Sequence, residues 1–186
     1  KLSALYSKYD TLHSKNVSKV LLPRLKDLVV EASRNNVDVT IDAEEQDRLS
    51  LSLNLFNPLA LDPAVKSWPG LGLAVQAYGK RSLAVVEWLE NLSKQRDKIH
   101  VRLVKGAYWD YEIKNAQVKG LKGYPVFTNK HLTDLNYLVT AKRLIECESL
   151  DASFATHNAH SIASLMSLSE STNASIEFQR LYGMGE

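Results

Sequence analysis

Apolar positions along this chain switch repeatedly between the spacing of a helix and that of a strand. Residues 17–36 place Val20, Leu21, Leu25, Leu28, Val29 and Ala32 at helical spacing. Asn16 or Ser18 is available as a cap and Asn35-Asn36 as a stop, so an amphipathic helix is predicted. Residues 37–42 (VDVTID) read as a short strand ending in a carboxylate, and 43–57 as a helix. Past Pro58, Pro63 and Pro69-Gly70, the unbroken apolar run 71–76 predicts a strand buried on both faces. A helix at 81–96 leads to a strand at 99–105, where 101–105 mixes apolar and basic residues before Gly106, Tyr108 and Trp109 break the pattern. A short helix at 112–119, a loop at 120–128, a helix at 131–148, a strand at 152–156, a helix at 160–168 and a strand at 175–179 complete the pass. Residues 1–5 read as a strand stub, which brings the expected strands to about six.

Strands alternating with helices imply βαβ units and a parallel sheet, because parallel neighbours need a crossover connection. No glycine-rich fingerprint opens the early units, which argues against a doubly wound dinucleotide fold. Polar residues recur instead at predicted strand ends: Asp42, Gln76, Lys105, His157-Asn158 and Gln179. That placement is characteristic of a (β/α)8 barrel, whose site is built at the C-terminal ends of its strands. A closed barrel needs eight strands in about 250 residues. The expectation is therefore a partial barrel domain over 1–186, with about six of the eight units, truncated at both ends; the chain opens on Lys1 rather than Met.

Composition changes this picture little. Lys+Arg of 23 against Asp+Glu of 21 leaves a formal net charge of +2, too small to argue for nucleic acid as a partner. Cys147 is the single cysteine, so no internal disulfide or multi-cysteine zinc site forms, in keeping with a reducing compartment. Without a run long enough for a membrane span, the expected location is cytoplasmic, or peripheral at the inner membrane through a parent protein.

Candidate chemistry concentrates around 99–110 (IHVRLVKGAYWD). Arg102 and Lys105 need a polar cavity, an anionic ligand or acidic neighbours. Gly106 would let a ligand approach the backbone, and Tyr108 and Trp109 offer faces for stacking. A Schiff-base lyase or aldolase using Lys105, with Arg102 helping to neutralise the amine, is the alternative reading. Asp42 ends a strand and is a candidate base, whereas Glu44 and Glu45 are assigned to the acid preference of a first helical turn. His157 and His160 lack a third metal ligand, so no metal is expected; His157 and Asn158 suit a helix cap or a ligand contact. Thr128 to Lys130 opens a helix, where a phosphate could sit or Thr128 could simply cap.

Longer motifs go further. RLVKGAYWDYEIKNAQ (102–117), GYPVFTNK (123–130), FATHNAH (154–160) and EFQRLYGMGE (177–186), with KLSAL at Lys1, IDAEEQDRL at Ile41 and QAYGKR at Gln76, resemble the proline dehydrogenase family. The likeness is greatest to the form found in bifunctional bacterial proline utilization A proteins, and it spans the chain in order. The resemblance implies a distorted barrel that binds FAD and oxidises L-proline to Δ1-pyrroline-5-carboxylate, passing electrons to a membrane quinone; a homo-oligomer is allowed. It implies that Arg102 lies near the flavin N5, where a fixed charge favours the reduced ring. Val104, Lys105, Gly106, Ala107 and Trp109 would line the flavin, and Thr128 and Lys130 the pyrophosphate and adenosine. Gln76, Thr156, His157, Asn158 and Gln179 would hold other parts of the cofactor. Lys1, Asp42 and Tyr108 would form the proline pocket, with Asp42 and Arg102 as the catalytic pair. Asn129 stands where relatives often carry arginine. The family's arginine pair for the proline carboxylate and its ring-packing tyrosine have no counterpart here, so the isolated fragment is expected to be inactive.

Overall fold

The computed structural model describes residues 1–185; Glu186, the last residue of the EFQRLYGMGE motif, lies outside the described residues. Helices α1 (Leu2–Leu5) and α2 (Ser14–Arg34) precede strand β1 (Val39–Ile41), a 3-10 turn (Gln46–Arg48) and α3 (Leu49–Ala60). There follow β2 (Leu71–Gln76), α4 (Ser82–Ser93), β3 (Ile99–Val104), α5 (Trp109–Val118), α6 (Lys130–Ile145), β4 (Leu150–Ala155), α7 (Ala159–Thr172) and β5 (Glu177–Gln179). The five strands pair in chain order, β1-β2-β3-β4-β5, and every pairing is parallel. Each new strand adds to the same edge, with no reversal of order, which is the winding of a (β/α) barrel and not of a doubly wound sheet.

Two expectations are corrected. Residues 1–5 form no strand: LSAL is made of good helix formers, and α1 buries Leu2 against α2, so the sheet has five described strands and not six. Residues 42–45 are not helical either; Glu45 is extended and the 3-10 turn starts at Gln46, so Glu44 and Glu45 are not first-turn acids.

The alternation of a strand sorts the two faces of the sheet. Leu71, Leu73 and Val75, then Ile99, Val101 and Leu103, then Leu150 and Phe154 turn outward and are buried beneath the helices. They meet Leu51 and Leu55 of α3, Val86 and Leu89 of α4, Tyr137, Ala141 and Leu144 of α6, and Leu165 of α7 in one core. β2 is buried at all six positions, as its unbroken apolar run predicts. The inner face carries the other parity. The register sets Ala74, Arg102, Ser153 and Glu177 in one row, and Thr40, Gly72, His100 and Asp151 in the row below. His100 ties β3 to β4 there, its Nδ1 3.1 Å from Asp151 Oδ2 and its Nε2 2.9 Å from Ser153 Oγ. His100, Asp151 and Ser153 thus satisfy one another below the C-terminal rim.

Candidate active site

The ends of all five strands open onto one cleft of about 650 Å³. β1 contributes Asp42, β2 Gln76, β3 the run from Val104 to Tyr108, β4 Thr156 and His157, and β5 Gln179 and Arg180; Lys1 closes one side. Twelve of the residues that the sequence selected line it: Lys1, Asp42, Gln76, Arg102, Val104, Lys105, Gly106, Ala107, Tyr108, Thr156, His157 and Gln179. The other four stand apart. Trp109 is half-exposed and donates from Nε1 to the Phe127 carbonyl at 2.9 Å; Thr128 and Lys130 lie at the start of α6, and Asn158 at the start of α7. Arg180 joins the lining without having been selected.

Charge defines what this cleft accepts. Lys1, Arg102, Lys105 and Arg180 share the lining with one carboxylate, Asp42, while Lys105 also pairs with Asp134 behind it. Such an excess of cations suits an anionic ligand, and the donors are of the two kinds that hold phosphate or carboxylate, guanidinium and ammonium. The donor chemistry therefore fits both an FAD diphosphate and a small amino acid.

Each side chain is held by a specific neighbour. Arg102 donates from Nε to Gln179 Oε1 at 2.6 Å, and Gln179 donates in turn to Glu177 Oε1 at 2.5 Å. An arginine only donates and a carboxylate only accepts, so the amide has one possible orientation. Lys1 donates to the Tyr108 hydroxyl at 2.9 Å. That bond, and then the nearby Asp42 and Glu44 carboxylates, hold its ammonium above the usual lysine value. Lys105 meets Asp134 Oδ1 of α6 at 2.6 Å, and Lys130 meets Oδ2 at 2.6 Å, which together keep the Asp134 carboxyl below its ordinary value. This bears on the Schiff-base alternative: the amine has an anionic partner, whereas Arg102 is engaged on the inner face.

Several reasons given by the sequence alone change. Gly106 has φ +138°, and a Cβ there would stand 2.5 Å from the Tyr78 ring. The glycine is needed by the packing of Tyr78 as well as by the backbone, in addition to its place on the cleft lining. Gln76 is 5% exposed and spends both ends of its amide on protein: Nε2 donates to the Glu44 carbonyl at 2.8 Å, and Oε1 accepts from Ala107 N–H at 3.2 Å. The cap of α6 is Asn129, whose side chain accepts from His131 N–H at 2.8 Å, and not Thr128. Asn158 caps α7 by accepting from Ser161 N–H at 3.0 Å. Among the described residues no group of three His, Cys, Asp or Glu is placed to hold a metal ion.

Sequence reasoning passed over Glu44, Gln46 and Glu112. Glu44 accepts from Ser3 N–H at 2.9 Å and pairs with Arg48 at 3.0 Å, so it fastens α1, and with it Lys1, to the loop after β1. Glu112 is 2% exposed in the first turn of α5 and accepts from the Gln46 N–H at 2.6 Å. Its position between Asp110 and Lys114 in a charged stretch hid it, and its partner lies 66 residues away.

The proline dehydrogenase family model matches residues 2–186. The chain belongs to the proline dehydrogenase family. Among its relatives are the bifunctional protein PutA of Salmonella typhimurium, 46% identical over 190 residues, and that of Rhizobium meliloti, 44% identical over 189 residues. Each comparison covers 100% of this chain, but 14% and 15% of the respective relative, so the chain spans about one seventh of their length. A proline utilization A structure with proline bound in remote sites superposes with TM-score 0.96 at 47% identity, covering all of this chain and 19% of the other. The Bdellovibrio bacteriovorus protein inactivated by N-propargylglycine gives TM-score 0.94 at 35% identity over 99% of this chain and 20% of the other. As a piece of the proline dehydrogenase barrel, the five-stranded sheet has its cleft at the rim where that fold builds sites.

Proposed function

We propose that the protein carrying this proline dehydrogenase segment oxidises L-proline to Δ1-pyrroline-5-carboxylate with FAD, and that Arg102, Lys1, Asp42 and Tyr108 serve the reacting end. The observation that supports this most is the rim cleft itself, where four cations and one carboxylate converge at the ends of five parallel strands. When bound, FAD would supply at its flavin N5 the acceptor for a hydride from proline C5.

The chain's own residues do the rest. Arg102 is fixed by Gln179 from the inner face and offers a permanent positive charge that needs no reorganisation during the reaction. Lys1, raised and fully charged beside Tyr108, offers an ammonium to the proline carboxylate, and Asp42 lies on the same lining to meet the ring nitrogen. Ala107 and Gly106 leave the floor free of large side chains, while Lys105 on the lining, and Thr128 and Lys130 beyond it at the start of α6, would hold the diphosphate. Electrons leave for a membrane quinone, and the protein works in the cytoplasm or against the inner membrane. No helix of the described chain is long and apolar enough to cross a membrane.

Anaerobic addition of L-proline to the purified, FAD-loaded full-length protein tests the reading. Bleaching of the flavin band with L-proline, and not with D-proline, is expected; a flavin that stays oxidised would overturn it. Borohydride trapping of a carbonyl substrate at Lys105 would instead favour the lyase.

A further inference from the structure

Glu112 is an unusual residue to find in the interior. A carboxylate 2% exposed loses its hydration, and here burial pushes the carboxyl up, with Asp47 and Glu45 acting in the same direction. Lys119 acts weakly in the opposite direction and makes its ion pair with Asp47, at 3.2 Å. An apolar side chain would fill the same volume without that cost, so the carboxylate must do something an apolar residue cannot.

Its hydrogen bonds show what. Oε1 accepts from the backbone N–H of Gln46 at 2.6 Å, across 66 residues of chain. The backbone N–H of Glu112 itself donates to the Tyr108 carbonyl at 2.9 Å, in the first turn of α5. One residue thus holds the loop after β1, which carries Asp42, and the cap of α5, which carries Tyr108. Gln76 makes a second tie between the same two loops, from Glu44 to Ala107. Arg81 fixes the far side of Gln46 by donating to its carbonyl at 2.6 Å. We infer that Glu112 is a positioning residue for the proline pocket, holding Asp42 and Tyr108 in register across the cleft through the Gln46 N–H. The inference rests on the proline reading of that pocket.

What matters is an acceptor at this place and not a charge, and this makes the inference testable. In the full-length, FAD-loaded protein, Glu112→Gln retains a carbonyl oxygen for the Gln46 N–H, whereas Glu112→Leu does not. Gln46→Pro removes the donor from the other side; Glu45 at φ −61°, ψ 150° already has the conformation that a residue before proline adopts. Binding of tetrahydrofuran-2-carboxylate, a ring-oxygen analogue of proline that cannot be oxidised in the same way, is read from the perturbed flavin spectrum. Hydrogen exchange is followed over residues 42–48 and 104–110.

E112L and Q46P are each expected to weaken the analogue about tenfold and to speed exchange in both segments about tenfold, the size of one lost buried hydrogen bond, with FAD content retained. E112Q is expected to stay within about twofold of wild type on both readouts. E112L combined with Q46P should be no worse than Q46P alone, because Q46P already deletes the bond that E112L removes. If E112L does not fold, Q46P carries the same comparison. Unchanged exchange in E112L or Q46P, or a loss in E112Q as large as in E112L, would overturn the positioning role. A wild-type protein that holds FAD but binds no analogue would overturn the proline reading, while the exchange comparison still decides whether Glu112 couples the two loops.

Discussion

Replacing Gly106 with alanine should destabilise the chain by two separable mechanisms. At φ +138° the backbone occupies a region that L side chains rarely adopt, which costs about 1–3 kcal/mol. The new methyl would also stand 2.5 to 2.6 Å from three atoms at the root of the Tyr78 ring, and Tyr78 is 2% exposed. Overpacking of this kind costs about a further 1–3 kcal/mol. Together the effect is about 2–6 kcal/mol, a large part of the roughly 5–15 kcal/mol that holds a typical domain. Urea unfolding followed by the fluorescence of Trp68, Trp88 and Trp109 measures it. Repeating G106A in a Tyr78→Ala background separates the two parts, since trimming the ring relieves the clash and leaves the backbone strain. The coupling should be about 1–3 kcal/mol. A cost below about 0.5 kcal/mol would refute both parts of the assignment, and an equal cost in both backgrounds would refute the Tyr78 packing and leave the strain at positive φ.

Gln76→Leu should cost about 1–3 kcal/mol for each backbone group it strands, the Glu44 carbonyl and the Ala107 N–H, and should speed proteolysis of the loops after β1 and β3. Asp134→Asn should cost only about 0.2–1 kcal/mol near neutral pH, because the pairs with Lys105 and Lys130 are partly exposed. The folded Asp134 carboxyl lies below its unfolded value, so this contribution is present above the unfolded carboxylate range and is lost as pH falls through the folded value; denaturation midpoints of wild type and D134N should converge in acid. Asn158→Ala should cost about 0.5–2 kcal/mol through loss of the α7 cap, with Asn158→Asp largely retaining stability; equal loss in both variants would refute the capping assignment.

The rhythm of apolar residues by itself determined most of the elements. The buried strand β2, the alternating strand β3 and the long helices α2 and α6 follow from spacing between near neighbours, a property carried by each segment alone. Strand-helix alternation then determined the parallel class, and polar residues at strand ends marked the rim where Asp42, Gln76 and Lys105 meet. At the start of the chain the reading failed because a four-residue segment has no period long enough to tell helix from strand; packing of Leu2 against α2 decides it. Only the tertiary structure decided what Gly106, Gln76, Glu44 and Glu112 are for. Their partners lie 28, 31 or 32, 41 and 66 residues away in the chain: the Tyr78 ring, Ala107 and the Glu44 carbonyl, the Ser3 N–H and the Gln46 N–H. Spacing along one segment carries no information about such contacts, because they exist only after the sheet has set its loops side by side.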